Sequence, residues 1–276
     1  MSADLAAGPT WRQRTSAGAA DQARDLLPPA VALVGLIVVW EVVVRALNLK
    51  QFILPSPLAI AAAWQENLPV LVAAATYTLG EIVAGLLIGA TAGITVGAAA
   101  ARFGAIRGSL LPFAIVANSV PIIAFAPIFN NWFGTDNQFS KAMIAAVLVF
   151  FPVMINTLRG LLNVDPSALE LLRSYAAPER TVFRSLRVPN SLPFIFTALR
   201  VATTLATIGA IVSEYFAAPR GSLGQYIATQ SAFLAFERSW AAIIFAAAIG
   251  IGLYMLVVGL ERLVSPWTRA QLPVEQ

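Results

Sequence analysis

Apolar residues run along this chain in long blocks rather than in alternation, and polar residues gather in short stretches between them. A membrane crossing takes roughly 20 mostly apolar residues. Segments 28–47, 71–98, 110–132, 142–161, 194–216 and 241–260 meet that length, and each predicts a transmembrane helix. Several exceed the minimum, an excess that tilting absorbs. Trp64, Trp132, Trp240 and Trp267 stand near or beyond span ends, where amphipathic rings favour the interface, while Trp40 fits that pattern less well. The fold class this predicts is an all-α integral membrane protein with six transmembrane helices.

Orientation follows from the asymmetry of arginine and lysine. Placing the N-terminus inside gathers Arg12, Arg14, Arg24, Arg102, Arg107, Arg159, Arg173, Arg180, Arg184, Arg187, Arg262 and Arg269 on one side, and Arg200 adds to them. Arg45, Lys50, Lys141, Arg220 and Arg238 fall on the other. Both termini, as tails over 1–27 and 261–276, and the loop over 162–192 are therefore expected in the cytoplasm. On the outer side, Pro57 is placed to start a short interfacial helix. Gly134-Thr135-Asp136-Asn137 is a turn cluster, and 217–238 is expected to lie along the surface.

Composition narrows the class. The chain is 58% hydrophobic and 12% charged, more apolar surface than a soluble domain of 276 residues can bury. With the arginines beside spans, the net charge of +4 is a membrane signature and not one of nucleic-acid binding. No cysteine or histidine is present, which excludes disulfides, thiolate or imidazole metal sites and Ser-His or Cys-His catalysis. Neither lysine, Lys50 or Lys141, follows the glycine spacing of a phosphate-binding loop, so the chain carries no ATPase of its own. No catalytic residue and no metal site is expected.

The inner loop is the most informative segment. Asp165-Pro166-Ser167 marks a helix start, with Asp165 as cap, Pro166 at the first helical position and Ser167 with Glu170 as a capping box. Leu169, Leu172 and Tyr175 or Ala176 then share a face. Pro178 breaks the run and opens a second short helix with Val182, Phe183 and Leu186 apolar and Arg180, Arg184 and Arg187 turned elsewhere. Val188-Pro189 and Pro193 are expected to end it before the fifth span. Two readings are open on physical grounds: an element docked in a moving partner, or a hairpin lying on lipid headgroups.

The segment resembles the EAA loop of permease subunits in bacterial ABC importers. Glu170 stands at the glutamate, Ala176 where glycine is usual, and Val188-Pro189 at the closing pair. Asn163-Val164-Asp165-Pro166 leads in and Leu192-Pro193-Phe194-Ile195-Phe196-Thr197-Ala198-Leu199-Arg200 leads out. Leu54-Pro55-Ser56-Pro57 and Pro152-Val153-Met154-Ile155-Asn156-Thr157 are similar to the nitrate, sulfonate and taurine branch, and the similarity extends from about Leu33 onward. The resemblance implies a type I importer permease fold over 71–260 with a coupling loop at 162–192, in a bacterial inner membrane. It implies an ATPase-docking role for Glu170, Leu171, Leu172, Arg173, Tyr175, Ala176, Arg180, Arg184 and Pro189. It further implies a second permease copy, cytoplasmic ATPase subunits that carry ATP and Mg, and an extracytoplasmic solute-binding protein. The sequence departs from the pattern where Leu171-Leu172 replace paired alanines and Ala176 replaces glycine. Alanine resists the left-handed backbone that glycine adopts, so the docking role carries over without the turn geometry, and Pro178 offers another source for the bend.

Within the spans, Pro121 and Pro127 interrupt the third, with Asn118, Ser119, Asn130, Phe125 and Phe129 nearby. A proline frees a backbone carbonyl that protein or cavity water must satisfy; the segment reads either as a translocation-lining helix or as a kinked packing helix. Pro152 and Asn156 repeat the pattern in the fourth span. Thr203 and Thr207 share a face of the fifth, toward a pathway or a packed neighbour. Gly85, Gly89, Gly93 and Gly97 recur every four residues, a close-packing stripe against another helix or a second subunit. Ionisable groups in lipid are expensive: Glu41 is expected to pair with Arg45, and Glu81 with Arg102 or another chain. The competing reading is a self-sufficient secondary transporter or channel using Glu81 or Glu214. The substrate is expected to be a small anion or a flat vitamin-like heterocycle such as riboflavin or a pyrimidine thiamine precursor. Phe125, Phe129, Trp132 and Tyr215 offer aromatic surface for the latter.

Overall fold

The computed structural model describes residues 19–104, 107, 108, 112, 114, 116, 120–216 and 221–266. Among them the chain is helical, with no strand. The long elements are α1 (Ala19–Ala46), α3 (Leu68–Arg102), α5 (Gln138–Leu162), α8 (Val188–Phe216) and α10 (Phe236–Val264). Between them lie α2 (Pro57–Glu66), α4 (Ala126–Phe133), α6 (Pro166–Ser174), α7 (Glu179–Val182) and α9 (Leu223–Ala232). Among the described residues five helices are long and apolar enough to cross a membrane. The first starts at Ala19, inside the stretch expected as a tail, although its apolar part begins at Leu27.

The core is built on α5, which is flanked by two faces of small residues. On one side Gly85, Gly89, Gly93 and Gly97 press α3 against it. A β-carbon added at Gly85 would stand 2.7 Å from the Ala142 carbonyl oxygen, at Gly93 2.8 Å from that of Phe150, and at Gly97 2.7 Å from that of Met154. Gly89 meets the Ala146 carbonyl in the same way. Glycine every fourth residue thus faces a carbonyl every fourth residue, which brings two backbones together in parallel. On the other side Ala198, Ala202, Ala206 and Ala210 of α8 are fully buried with Ala145, Val149 and Val153 of α5. There Gly160 meets Ser191 and Gly209 meets Ala145, so α8 runs antiparallel to α5.

Parallel packing of α3 and α5 has a topological consequence. Arg102 and Leu162 lie at one end of the pair, and Tyr77 and Gln138 at the other. The chain from Arg102 to Gln138 must therefore travel back about 30 Å, a membrane thickness. Its described residues fit that course: Ala114 clusters with Phe151 and Met154, Ala126 with Ile144, and Asn130 bonds Ser140. This is an antiparallel crossing along α5, in the place of the expected third span; most of 105–119 is outside the described residues.

The peripheral elements follow local chemistry. Ser56 caps α2 through Ala59 N–H at 3.2 Å, with Pro57 at its first position. Glu41 binds Arg45 Nε at 2.5 Å and accepts the Leu58 amide at 3.2 Å, tying α1 to the start of α2. Trp40 packs edge-on against Trp240 of α10, with ring centroids 5.3 Å apart, which places it in the protein core margin. From Leu27 onward most apolar side chains of α1 face outward, as in Leu36 and Val42, while Val44 is buried.

Candidate functional site: the projecting hairpin and the polar knot

The hairpin that follows α5 is assembled from short-range bonds. Asp165 accepts the Ser167 amide at 2.9 Å, so this short carboxylate alone caps α6, and Glu170 is left exposed rather than closing a box. At the other end the Ala177 amide reaches the Leu172 carbonyl at 3.0 Å and the Ala176 amide reaches that of Arg173 at 2.9 Å. This closing pattern requires a left-handed residue, and Ala176 supplies it with φ of 50°. The bend therefore sits at the position of the missing glycine, and Pro178 follows it as the cap of α7.

The second limb corrects another expectation. Val188, Pro189 and Pro193 do not end it; helix continues from Glu179 to Phe216. The turn Phe183–Arg187 is wider than an α-turn, with the Val188 amide reaching back to the Phe183 carbonyl. That register shift accommodates the ring and missing donor of Pro189. Val182 is buried and Phe183 and Leu186 are half-buried, while Arg180 and Arg184 are exposed.

No residue of α6 is buried. Leu169 and Leu172 turn toward the body, whereas Leu171 is 58% and Tyr175 77% exposed, one helical turn apart. Glu170 and Arg173 flank them in the open. The base of the hairpin is fixed by Asn190, whose Nδ2 donates to the Gly160 carbonyl at 2.8 Å and to the Asn163 carbonyl at 2.9 Å. Sequence reasoning missed Asn190; its place just after Pro189, opposite the end of a span, is the signal it offered.

At the opposite end of the bundle lies a buried polar knot. Glu214 of α8 accepts Thr78 Oγ1–H at 2.7 Å and the Gly224 amide at 2.8 Å, while Thr78 Oγ1 accepts the Leu223 amide at 3.0 Å. One carboxylate and one hydroxyl thus receive the free amides at the start of α9. Glu81 is also buried, against the Glu214 carboxyl and near Lys141. Arg102, the partner expected for Glu81, is 21 residues further along the same helix, about 30 Å away. Lys141 is fully enclosed and donates to Asn130 Oδ1 at 3.0 Å and to the Thr135 carbonyl.

The residues considered for a pathway separate on these grounds. Asn130 is buried and holds Ser140 and Lys141. Thr203 is fully enclosed and bonds its own helix at Arg200, and Thr207 does so at Thr203 while facing Gly250 of α10. Asn156 bonds the Pro152 carbonyl at 2.8 Å. Pro121, Phe125 and Pro127 are exposed, and Asn118 lies outside the described residues.

A hydrophobic helical bundle with a polar hairpin thrust from one end is the form of a transport permease, and comparison bears this out. The model for the binding-protein-dependent transport system inner membrane component matches residues 85–270, and the chain belongs to that family. It is 30% identical to the formylaminopyrimidine transport permease protein ThiX of Halalkalibacterium halodurans, over 89% of this chain and 97% of the relative. It is 31% identical to the riboflavin transport system permease protein RibX of Chloroflexus aurantiacus, over 86% and 88%. The taurine transport system permease protein TauC of Escherichia coli is 27% identical, over 84% and 86%. Among solved structures, an amino acid ABC transporter with histidines shares the fold at TM-score 0.56 and 18% identity, over 73% of this chain and 95% of that one. The chain is a multi-pass membrane transport subunit of the ABC importer permease type.

Proposed function

We propose that this chain is the translocating half of an ATP-driven importer whose motor is a separate cytoplasmic ATPase gripping α6. The observation that carries the reading is the hairpin: an apolar pair, Leu171 and Tyr175, held out on a capped helix whose base is bonded to α5 through Asn190. A helix that fully buries no residue in its own chain gains stability from a partner groove, and Leu171 with Tyr175 are the anchors such a groove needs. ATP and Mg belong to that partner. The hairpin end of the bundle, with Arg102, Arg159, Arg173, Arg180, Arg184 and Arg187, is the cytoplasmic end. Two copies of the chain would seat two ATPases, and an external binding protein would deliver the solute.

For the solute we favour a flat vitamin-like heterocycle over a small anion. The relatives named for formylaminopyrimidine and riboflavin support this, as do the exposed Phe125 and its neighbour Phe129 on one end of α4. Arg200, inside the fifth span, pairs with Glu261 at 3.6 Å, which lessens its attraction for an anion. The test is ATP hydrolysis by the reconstituted complex. Hydrolysis should rise with binding protein loaded with a pyrimidine and should lose that response in Tyr175→Ala or Glu170→Lys; an unchanged response in both variants refutes the docking role.

A further inference from the structure

Where α3 ends against the second limb of the hairpin, an open cleft of about 290 Å³ is lined by Arg102, Arg107, Glu179 and Arg187 with Leu162 and Phe183. Three arginines and a single carboxylate line it. Glu179 pairs with Arg187, Oε1 to Nη2 at 3.7 Å, from a side chain that is 66% exposed, and this one carboxylate leaves the arginines in excess. Arg187 Nε is buried and has no acceptor among the described residues. An adjoining cavity, sharing Arg107 and Leu162, adds Arg159. Arg102 and Arg107 stand exposed at the rim of this open cleft and Arg187 is half-buried at its side; an anion offsets the repulsion among them, and planar guanidiniums suit tetrahedral oxyanions through paired N–H groups.

We propose that this cleft binds a phosphate-bearing anion, which bridges the end of α3 to the hairpin through Arg102, Arg107 and Arg187. The cavity has room for one phosphate group with its substituent, and its apolar floor of Leu162 and Phe183 suits an ester rather than a bare ion. The inference adds a ligand to the transporter reading and stands without it. Two sources share this chemistry, an anionic lipid headgroup and a soluble phosphate compound.

The experiment uses the full chain in phosphatidylcholine nanodiscs titrated with inorganic pyrophosphate, and in nanodiscs containing phosphatidylglycerol examined for retained lipid by native mass spectrometry. Binding should weaken about tenfold in Arg102→Gln and Arg187→Gln, stay unchanged in Arg262→Gln at the same end of α10, and tighten in Glu179→Gln. Saturation by pyrophosphate assigns the site to a soluble phosphate; retained phosphatidylglycerol that pyrophosphate does not displace assigns it to a headgroup. Equal weakening in Arg262→Gln, or no saturable binding in either disc, overturns the proposal. Glu179→Gln retains every arginine, so it reports even where an arginine variant fails to fold, and unchanged affinity there also overturns it.

Discussion

At Ala176 a β-carbon occupies left-handed backbone, where it crowds the next carbonyl at a cost of about 1–2 kcal/mol. The two amide bonds that close α6, from Ala176 and Ala177, hold it there. Ala176→Gly should therefore stabilise the hairpin by about 1 kcal/mol, read as slower hydrogen exchange at the Ala177 amide, and Ala176→Val should speed that exchange. The residues themselves announced a bend without glycine, but not that alanine would take the strained conformation, because the sum of closing bonds against strain is not written in a residue type. The polar knot was less legible still. Thr78 and Glu214 are far apart in sequence, and only the folded packing of α3 on α8 brings them together. Thr78→Val leaves the Leu223 amide and one Glu214 oxygen unpaired in a buried site, a loss of about 1–3 kcal/mol for each. Thermal unfolding in nanodiscs should show a lower midpoint for Thr78→Val than for Thr91→Val, whose hydroxyl bonds its own exposed helix backbone.

Helices were legible wherever apolar length alone decides them, and their continuity was not. The fifth span reads from sequence as starting after Pro193, yet helix runs from Glu179, because one wide turn absorbs what Pro189 removes. The glycine stripe on α3 was visible as a spacing, while its partner required the register of α5. Two substitutions on this one helix separate packing from propensity. Gly89→Ala forces a β-carbon into the Ala146 carbonyl and should cost about 1–3 kcal/mol. Gly80→Ala meets nothing within 4 Å and should be neutral or stabilising by up to about 1 kcal/mol. Chemical unfolding of both variants in the same detergent checks the pair, and equal effects would contradict the packing described.

Across the whole molecule, the hairpin at one end and the knot at the other are joined by α5 and α8, each of which runs from one to the other. Asn190 is the fastening between hairpin and bundle. On the docking proposed above, Asn190→Ala should leave an ATPase bound through Leu171 and Tyr175 while lowering solute-stimulated hydrolysis roughly fivefold or more, the loss of two hydrogen bonds to backbone carbonyls. Co-purification measured beside hydrolysis distinguishes this uncoupling from a loss of docking.

The ladder of glycines beneath carbonyls restricts how such a bundle can change shape. If α3 slid along α5 by one residue, side chains would ride onto the carbonyl ridge, and the next matching rung lies four residues on, about 6 Å away. Small axial slippage is thus barred, and the pair is left to pivot as a single rod. A displacement applied at the hairpin would then reach the far rim as a change of tilt.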